Sequence, residues 1–197
     1  MKHPKIVALY GSPRRKGNTA ALLKKAVEGA RDSGAEVEEI VLRDLKMSPC
    51  LEIYGCMADG ECAIKDDFQM LRDKMLDSRG LMLASPVFFY AVSSHTKILM
   101  DRFQSLWVKK NWVKKTPERH PGVKRKGLFI SVGATRGKKL FDGMLLSVRY
   151  FFDVLDTELW KSLSYRQLDF QDDVLKHPEY LEEAYTTGKA FASAIDG

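Results

Sequence analysis

The chain has 197 residues, of which 45% are hydrophobic and 29% are charged, and its formal net charge is +6. This composition is typical of a compact globular protein with a full hydrophobic core, and it excludes an intrinsically disordered chain. The longest nearly apolar stretch, residues 81–92, is about half of what a membrane-spanning helix needs, and the N-terminus lacks the layout of a secretory signal.

Short apolar runs alternate with stretches in which apolar residues recur at helical spacing. The runs predict five strands, at residues 5–10, 37–42, 80–85, 127–132 and 158–163. The helical spacing predicts helices at residues 18–31, 66–77, 94–108, 139–155 and 178–195. This alternation predicts an α/β fold, in which right-handed crossovers build a parallel sheet with helices on both faces. We expect one domain over residues 1–197, with an irregular loop at 43–65 and a basic insertion at 109–126.

Three loops follow the carboxyl ends of predicted strands, at residues 11–18, 86–93 and 133–137. In open α/β sheets, ligands bind beyond these ends, where the order of the strands reverses. The three loops therefore predict a ligand site at one edge of the sheet.

The loop after the first strand has the composition of a phosphate site. It reads Gly11-Ser12-Pro13-Arg14-Arg15-Lys16-Gly17-Asn18-Thr19. We expect its glycines to allow backbone turns that other residues avoid. Its hydroxyl, amide and basic side chains lie beside the unpaired N–H groups of the next helix, which attract anions. The spacing differs from a Walker loop and from G-x-G-x-x-G, which argues against ATP hydrolysis and Rossmann-type NAD binding. A solvated turn is the alternative.

A run of aromatic residues follows the third strand. Pro86 has no N–H for the sheet, so it ends that strand. Val87, Phe88, Phe89 and Tyr90 come next. Such a run is often part of a core, but after a strand end and beside a phosphate loop, contact with a flat ligand is favoured.

These motifs carry a family resemblance. Gly11-Ser12-x-Arg14-x-x-Gly17-Asn18-Thr19 resembles the FMN-phosphate loop of the NADPH-dependent FMN reductase and iron-sulfur flavoprotein families. Residues 85–90 look like their second flavin loop, residues 97–103 like the helix after it, and residues 133–137 fall at their third flavin loop. The similarity covers nearly the whole chain. It implies a flavodoxin-like three-layer sandwich with strand order 2-1-3-4-5.

The resemblance also implies FMN as the cofactor. The expected phosphate contacts are Ser12, Arg14, Gly17, Asn18, Thr19 and Ala20. The expected contacts to the isoalloxazine ring are Pro86, Val87, Phe88, Phe89, Tyr90, Gly133, Ala134, Thr135 and Arg136. No catalytic side chain is expected, because the flavin carries the redox chemistry.

The three cysteines, Cys50, Cys56 and Cys62, lie within thirteen residues. Their odd number argues against a disulfide framework and favours metal ligation or thiol chemistry in a reducing cytoplasm. The loop has no histidine to complete a zinc site.

The cysteine spacing is similar to the C-x2-C-x2-C-x5-C pattern of the iron-sulfur flavoproteins, except that Ile53 stands at the second position. Four thiolates hold a [4Fe–4S] cluster, and isoleucine cannot be a ligand. Two alternatives stay open. Either Cys50, Cys56 and Cys62 hold a cluster with one open iron, or the loop has kept its shape and lost the cluster.

We expect a cytoplasmic NAD(P)H-dependent oxidoreductase that passes electrons through FMN to a quinone, a flavin or a metal. The alternative is an electron carrier that accepts electrons from ferredoxin or another acidic redox protein, and Ile53 weakens it. The resemblance further implies a homodimer or a tetramer.

The net charge is concentrated in residues 109–126, which contain eight basic residues and one acid. A third hypothesis is nucleic-acid binding by this segment with Trp112 as a stacking ring, but the segment has no groove-reading motif. It is otherwise a solvated loop or a site that attracts an anion, either the NADPH phosphate or an acidic redox protein. If the segment attracts an anion, neutralising Lys114, Lys115, Lys124 and Arg125 is expected to raise the KM for NADPH or to slow the reduction of a partner protein at low salt.

Overall fold

The computed structural model describes residues 5–113 and 125–196. The strands are β1 (Lys5–Tyr10), β2 (Glu36–Val41), β3 (Gly80–Pro86), β4 (Arg125–Gly133) and β5 (Thr157–Arg166). The helices are α1 (Asn18–Asp32), α2 (Phe68–Asp77), α3 (Ser94–Arg102), α4 (Gln104–Val108), α5 (Asp142–Val154) and α6 (Pro178–Asp196). A π-helical turn, Lys109–Val113, continues α4.

The strands form one parallel sheet in the order β2-β1-β3-β4-β5. Leu9 of β1 is paired with Ile40 on one side and with Leu83 on the other. The predicted fold class and strand order are confirmed. The order reverses between β1 and β3, so the loops after these two strands meet at the switch point.

Helices cover both faces of the sheet. On one face α1 and α6 pack against a buried cluster that includes Leu23 and Phe191. These two helices approach very closely, because a Cβ atom at Gly188 would lie 1.9 Å from the carbonyl oxygen of Ala26. The other face is covered by α2, α3 and α5, where Phe68 and Phe103 make an edge-to-face contact. Among the described residues, no helix is long and apolar enough to cross a membrane.

The predicted helix at 94–108 is two helices. The backbone turns at Phe103, between α3 and α4. The prediction for the last strand was also too short, because β5 continues to Arg166. This difference places the following loop at the same edge of the sheet as the other ligand loops.

The boundaries predicted for the basic insertion were wrong at both ends. Lys109 begins the π-helical turn, and Arg125 and Lys126 belong to β4. Arg125 is buried and donates hydrogen bonds to the carbonyl oxygens of Ser78 (2.8 Å) and Leu155 (2.7 Å). It is therefore a structural residue and not part of a basic surface. Residues 114–124, with Lys114, Lys115 and Lys124, lie outside the described residues.

Candidate functional site

The first loop joins β1 to α1. Its backbone begins with a 2.7 Å hydrogen bond from the amide of Gly11 to the carbonyl oxygen of Ala84 in β3. A Cβ atom at Gly11 would lie 2.1 Å from Thr96 Oγ1, so only glycine fits here. Gly17 has a φ of −109°, which other residues also adopt. The expectation that both glycines serve unusual turns was therefore wrong, and Gly11 instead permits a close approach.

The N-terminus of α1 faces this loop without a capping side chain. Gly17 occupies the N-cap position, so the first-turn amides of Asn18, Thr19 and Ala20 have no side-chain acceptor from it. Ser12 Oγ accepts a 3.1 Å hydrogen bond from the amide of Arg14, which fixes the turn. The loop thus presents backbone donors at the positive end of a helix of fifteen residues, which suits an anionic group.

The side chain of Asn18 is occupied by the protein itself. Its Nδ2 donates to the carbonyl oxygen of Phe170 at 2.9 Å, and its Oδ1 accepts from the amide of Val174 at 3.1 Å. The side-chain amide group therefore joins the first loop to the segment after β5. Asn18 as a phosphate contact stays a prediction, which its backbone amide in the first turn of α1 could fulfil.

The second loop makes a tight hairpin turn beyond β3. Phe88 and Ala91 exchange two backbone hydrogen bonds of 2.9 Å. The two residues between them, Phe89 and Tyr90, have φ values of 50° and 61°. This conformation suits glycine and asparagine, and it costs each larger residue about 1–3 kcal/mol.

The rings in this turn are exposed. Phe89 is fully accessible to solvent, and Phe88 and Tyr90 are about half accessible. The core alternative for these aromatic residues was therefore wrong. A strained turn that holds apolar rings in water is typical of a ligand contact.

The third loop follows β4 and meets the second. Residues 134–137 are exposed, and a Cβ atom at Gly137 would lie 3.9 Å from the Tyr90 hydroxyl oxygen. Arg166 donates to the carbonyl oxygens of Gly137 (3.2 Å) and Lys138 (3.0 Å). The third loop is therefore held in place from β5.

Buried hydroxyl groups connect the first and second loops on the side that faces the protein interior. Ser93 Oγ donates to the carbonyl oxygen of Gly11 and lies 3.1 Å from Thr96 Oγ1. The amide of Ser93 donates to Ser85 Oγ at 2.9 Å. This network fixes the spacing between the phosphate loop and the aromatic turn.

A fourth loop, residues 167–172, completes the edge and was missed in the sequence. The amide of Leu168 donates to the carbonyl oxygen of Gly133 at 3.3 Å. Arg136 Nε and Nη2 both lie 3.0 Å from the side-chain amide oxygen of Gln167, in the orientation that satisfies both groups. A correct end for β5 would have predicted this loop, since it follows a strand end like the other three.

The cysteine loop lies against α3, α4 and the π-helical turn. Gly60 has a φ of +77°, and a Cβ atom on it would lie 2.3 Å from Lys109 Cβ. The buried Arg102 guanidinium donates to the carbonyl oxygens of Ser48 (2.8 Å) and Ile64 (2.9 Å) and to Asp66 Oδ2 (2.7 Å). These contacts hold both ends of the loop.

Cys50, Cys56 and Cys62 line one pocket of about 500 Å³. Burial raises the pKa of the Cys56 thiol, and the nearby Cys62 and Cys50 raise it further. Ile53, which is 60% exposed, lines the same pocket.

The residues of this pocket lack the full set of four thiolates that holds a [4Fe–4S] cluster. Within residues 5–113 and 125–196, no three His, Cys, Asp or Glu side chains are placed to hold a metal ion. Ile53 supplies no fourth thiolate. No chemical step is therefore assigned to a cluster.

The sequence model of the NADPH-dependent FMN reductase family matches residues 4–153. The chain belongs to this family. An iron-sulfur flavoprotein of Methanocaldococcus jannaschii is 39% identical over 102 residues, which are 52% of this chain and 53% of that protein. An iron-sulfur flavoprotein of Methanosarcina thermophila is 29% identical over 67% of this chain and 64% of its own length. The chain spans about half the length of the first curated relatives that it matches.

Solved structures agree with the fold. The NAD(P)H:quinone oxidoreductase from Methanothermobacter marburgensis superposes with a TM-score of 0.70 at 15% identity, over 95% of this chain and 96% of that one. The flavodoxin-like fold and the family predicted from the sequence are confirmed.

Proposed function

We propose that the chain is one FMN-binding domain that oxidises NAD(P)H and passes the electrons to a small acceptor such as a quinone, a flavin or a metal. One observation carries this proposal. A helix N-terminus suited to an anion lies at the same sheet edge as a strained, exposed aromatic turn. FMN has the matching chemistry, a phosphate at one end and a flat ring system at the other.

The family match supports the assignment of each loop. Residues 11–20 would hold the phosphate through backbone amides, with Ser12 Oγ fixing the turn. The rings of residues 88–90 would cover the isoalloxazine ring and keep water away from it. Backbone groups of residues 87 and 133–136 would orient its polar edge, with Arg136 fixed by Gln167.

FMN, when bound, supplies hydride and single-electron chemistry at its ring. The protein would then position the electron donor and the electron acceptor beside the exposed face of the aromatic turn. The second and third loops would determine whether a polar or an apolar substrate binds, because their residues 88–90 and 134–137 are exposed at this edge of the sheet.

An electron carrier that works with ferredoxin is the second candidate, and it is favoured by the iron-sulfur flavoprotein relatives. Ile53 argues against it, since the cysteine loop lacks a fourth ligand. A homodimer or a tetramer in the cytoplasm fits either candidate.

Nucleic-acid binding has lost support. Lys109 is paired with Glu61 at 2.8 Å, Lys110 with Asp156 at 2.5 Å, and Arg125 is buried. The described part of the basic segment is therefore largely neutralised.

Anaerobic stopped-flow spectroscopy tests the proposal. The purified protein loaded with FMN is mixed with NADPH, NADH or reduced ferredoxin, and flavin absorbance is followed. Bleaching by a reduced nicotinamide within seconds supports the oxidoreductase. Bleaching by ferredoxin alone would support the electron carrier, and failure to bind FMN at all would overturn both.

A further inference from the structure

The fourth loop is fixed to the other ligand loops at both ends. Near β5, Leu168 and Gln167 contact Gly133 and Arg136 of the third loop. At the far end, Phe170 and Val174 are bonded to the side chain of Asn18. The loop thus extends from the third loop to the phosphate loop.

Asp173 holds the turn of this loop. Its carboxylate accepts hydrogen bonds from the amides of Asp169 (3.1 Å) and Phe170 (2.8 Å) and from Lys176 Nζ (2.7 Å). The pKa of Asp173 is held below its usual value chiefly by the hydrogen bond from Lys176. The backbone around Phe170 is therefore well determined.

The ring of Phe170 nevertheless lies in water, with 75% of the residue exposed. The hydrogen bonds of the loop hold its backbone in place, so this exposed ring has a defined position at the edge of the sheet where the ligand loops meet. Loops held on a rigid scaffold often carry binding residues.

A positively charged side chain of the phosphate loop reaches the fourth loop next to Phe170 in the sequence. The Arg14 guanidinium extends from the phosphate loop toward the fourth loop, where its Nη1 lies 3.4 Å from the carbonyl oxygen of Asp169. Arg15, the next residue, is paired with Asp44 at 2.6 Å and is directed elsewhere. An exposed aromatic face on a loop that a guanidinium also reaches suits a purine that carries a phosphate, because the ring stacks on the base and arginine binds phosphate oxygens.

We propose that Phe170 and the Arg14 side chain form the subsite for the adenosine half of NADPH. This inference rests on the proposed function. The nicotinamide half must reach the flavin ring near the aromatic turn, so the adenosine half of an extended dinucleotide lies along a different wall. The fourth loop is that wall, because it leads from the third loop to the phosphate loop.

Two measurements on the FMN-loaded protein test this subsite. Calorimetric titration with adenosine 2′,5′-bisphosphate measures the subsite without turnover. Steady-state kinetics then compares NADPH with reduced nicotinamide mononucleotide, which has no adenosine. Phe170→Ala is expected to weaken the bisphosphate about tenfold and to lower the ratio of kcat/KM for NADPH over the mononucleotide by the same factor, in line with about 1–3 kcal/mol per stacked base.

Phe170→Tyr keeps a stacking ring and is expected to restore both values. Leu175→Ala is the matched control, because Leu175 is an exposed apolar residue of the same segment that lies beyond Asp173. It should behave as the wild type.

The outcomes separate this inference from the proposed function. Equal losses with both donors, loss of FMN, or a changed oligomeric state in Phe170→Ala would overturn the subsite, as would wild-type protein that does not bind the bisphosphate. None of these results would contradict the proposed function, provided that a nicotinamide donor still reduces the flavin. If neither donor reduces the flavin, the proposed function fails, while bisphosphate binding still reports on the subsite.

Discussion

Gly11 of the phosphate loop packs directly against Thr96 in the first turn of α3, so closely that no side chain fits between them. A Cβ atom at Gly11 would lie 2.1 Å from Thr96 Oγ1 and 2.7 Å from the carbonyl oxygen of Ala84. Thr96 is itself fixed by Ser93, whose hydroxyl donates to the Gly11 carbonyl oxygen. The first and second ligand loops therefore form one unit.

This contact predicts that Gly11→Ala is costly. The added methyl group must displace Thr96 or β3, and such overpacking costs about 1–3 kcal/mol in the free energy of unfolding. FMN affinity should fall as well, because the displaced loop is the phosphate loop. Urea denaturation and FMN titration measure the two effects.

A double-mutant cycle isolates the contact. Thr96→Ala removes the nearer of the two clashing oxygens, so Gly11→Ala should cost less in the Thr96→Ala background than alone. Additive losses would show that Thr96 does not cause the strain.

The aromatic turn predicts a gain in stability with a loss of function. Replacing Phe89 and Tyr90 by Asn-Gly gives the residues that a two-residue turn with positive φ prefers. The free energy of unfolding of the FMN-free protein should rise by about 1 kcal/mol or more, because the entropic cost of ordering glycine offsets only part of the relieved strain, while FMN affinity falls about tenfold. Phe88→Asn is the control, since Phe88 shares the loop but is not among the positive-φ residues.

Phe88→Asn should lower the affinity for FMN without raising the free energy of unfolding. A double variant that is less stable than the wild type would contradict the assignment of strain to this turn. Chemical denaturation and equilibrium flavin titration provide both readings.

The sheet could be predicted because buried parallel strands are continuous apolar runs, as in β1 and β3. The end of β5 could not. This strand lies at the edge of the sheet, so exposed residues such as Lys161 and Ser162 interrupt its pattern. Because the end of β5 was predicted too early, the sequence did not show that the fourth loop, which contains Phe170, follows a strand end.

The site residues were found by type, but several of their roles depend on contacts that are distant in the sequence. Asn18 is bonded to residues more than 150 positions away. The need for glycine at position 11 comes from Thr96, and nothing in the local sequence indicates it. The positive φ of Phe89 and Tyr90 could not be predicted either, because turns of this kind usually contain glycine, asparagine or aspartate.

The cysteine loop predicts that one substitution will allow the protein to bind an iron-sulfur cluster. Ile53→Cys restores the spacing of four cysteines in the pocket that the three thiols already line. After anaerobic reconstitution with iron and sulfide, the variant should hold about four irons per chain, with broad visible absorbance in addition to that of the flavin. The wild type should hold far less.

Ile53→Ser, which adds a polar group of similar size to cysteine without a thiol, serves as the control. About four irons per chain in both the wild type and Ile53→Cys would show that three cysteines are sufficient to hold the cluster. That result would favour the electron carrier as the function. Equally low iron in both would show that the loop does not form a cluster site even with four cysteines.

The ion pair between Asp66 and Arg102 predicts a loss of stability in acid. Burial raises the pKa of Asp66, but the hydrogen bonds from Arg102, Ser48 and Phe68 outweigh it, so the pKa lies below its usual value. A carboxyl group whose pKa is lowered by folding stabilises the protein above its unfolded-state pKa of about 3.9. This contribution is lost as the pH falls below that value and through the lower folded-state pKa.

Asp66→Asn should therefore destabilise the protein strongly at pH 7, by about 3–5 kcal/mol, because it leaves the buried Arg102 charge without its carboxylate. The difference from the wild type should shrink as the pH is lowered from 5 toward 3. Asp73→Asn is the control, since Asp73 makes a more exposed pair with Arg72. Urea denaturation at a series of pH values measures each variant, and a difference for Asp66→Asn that stays constant down to pH 3 would show that this carboxylate does not stabilise the cysteine loop through its charge.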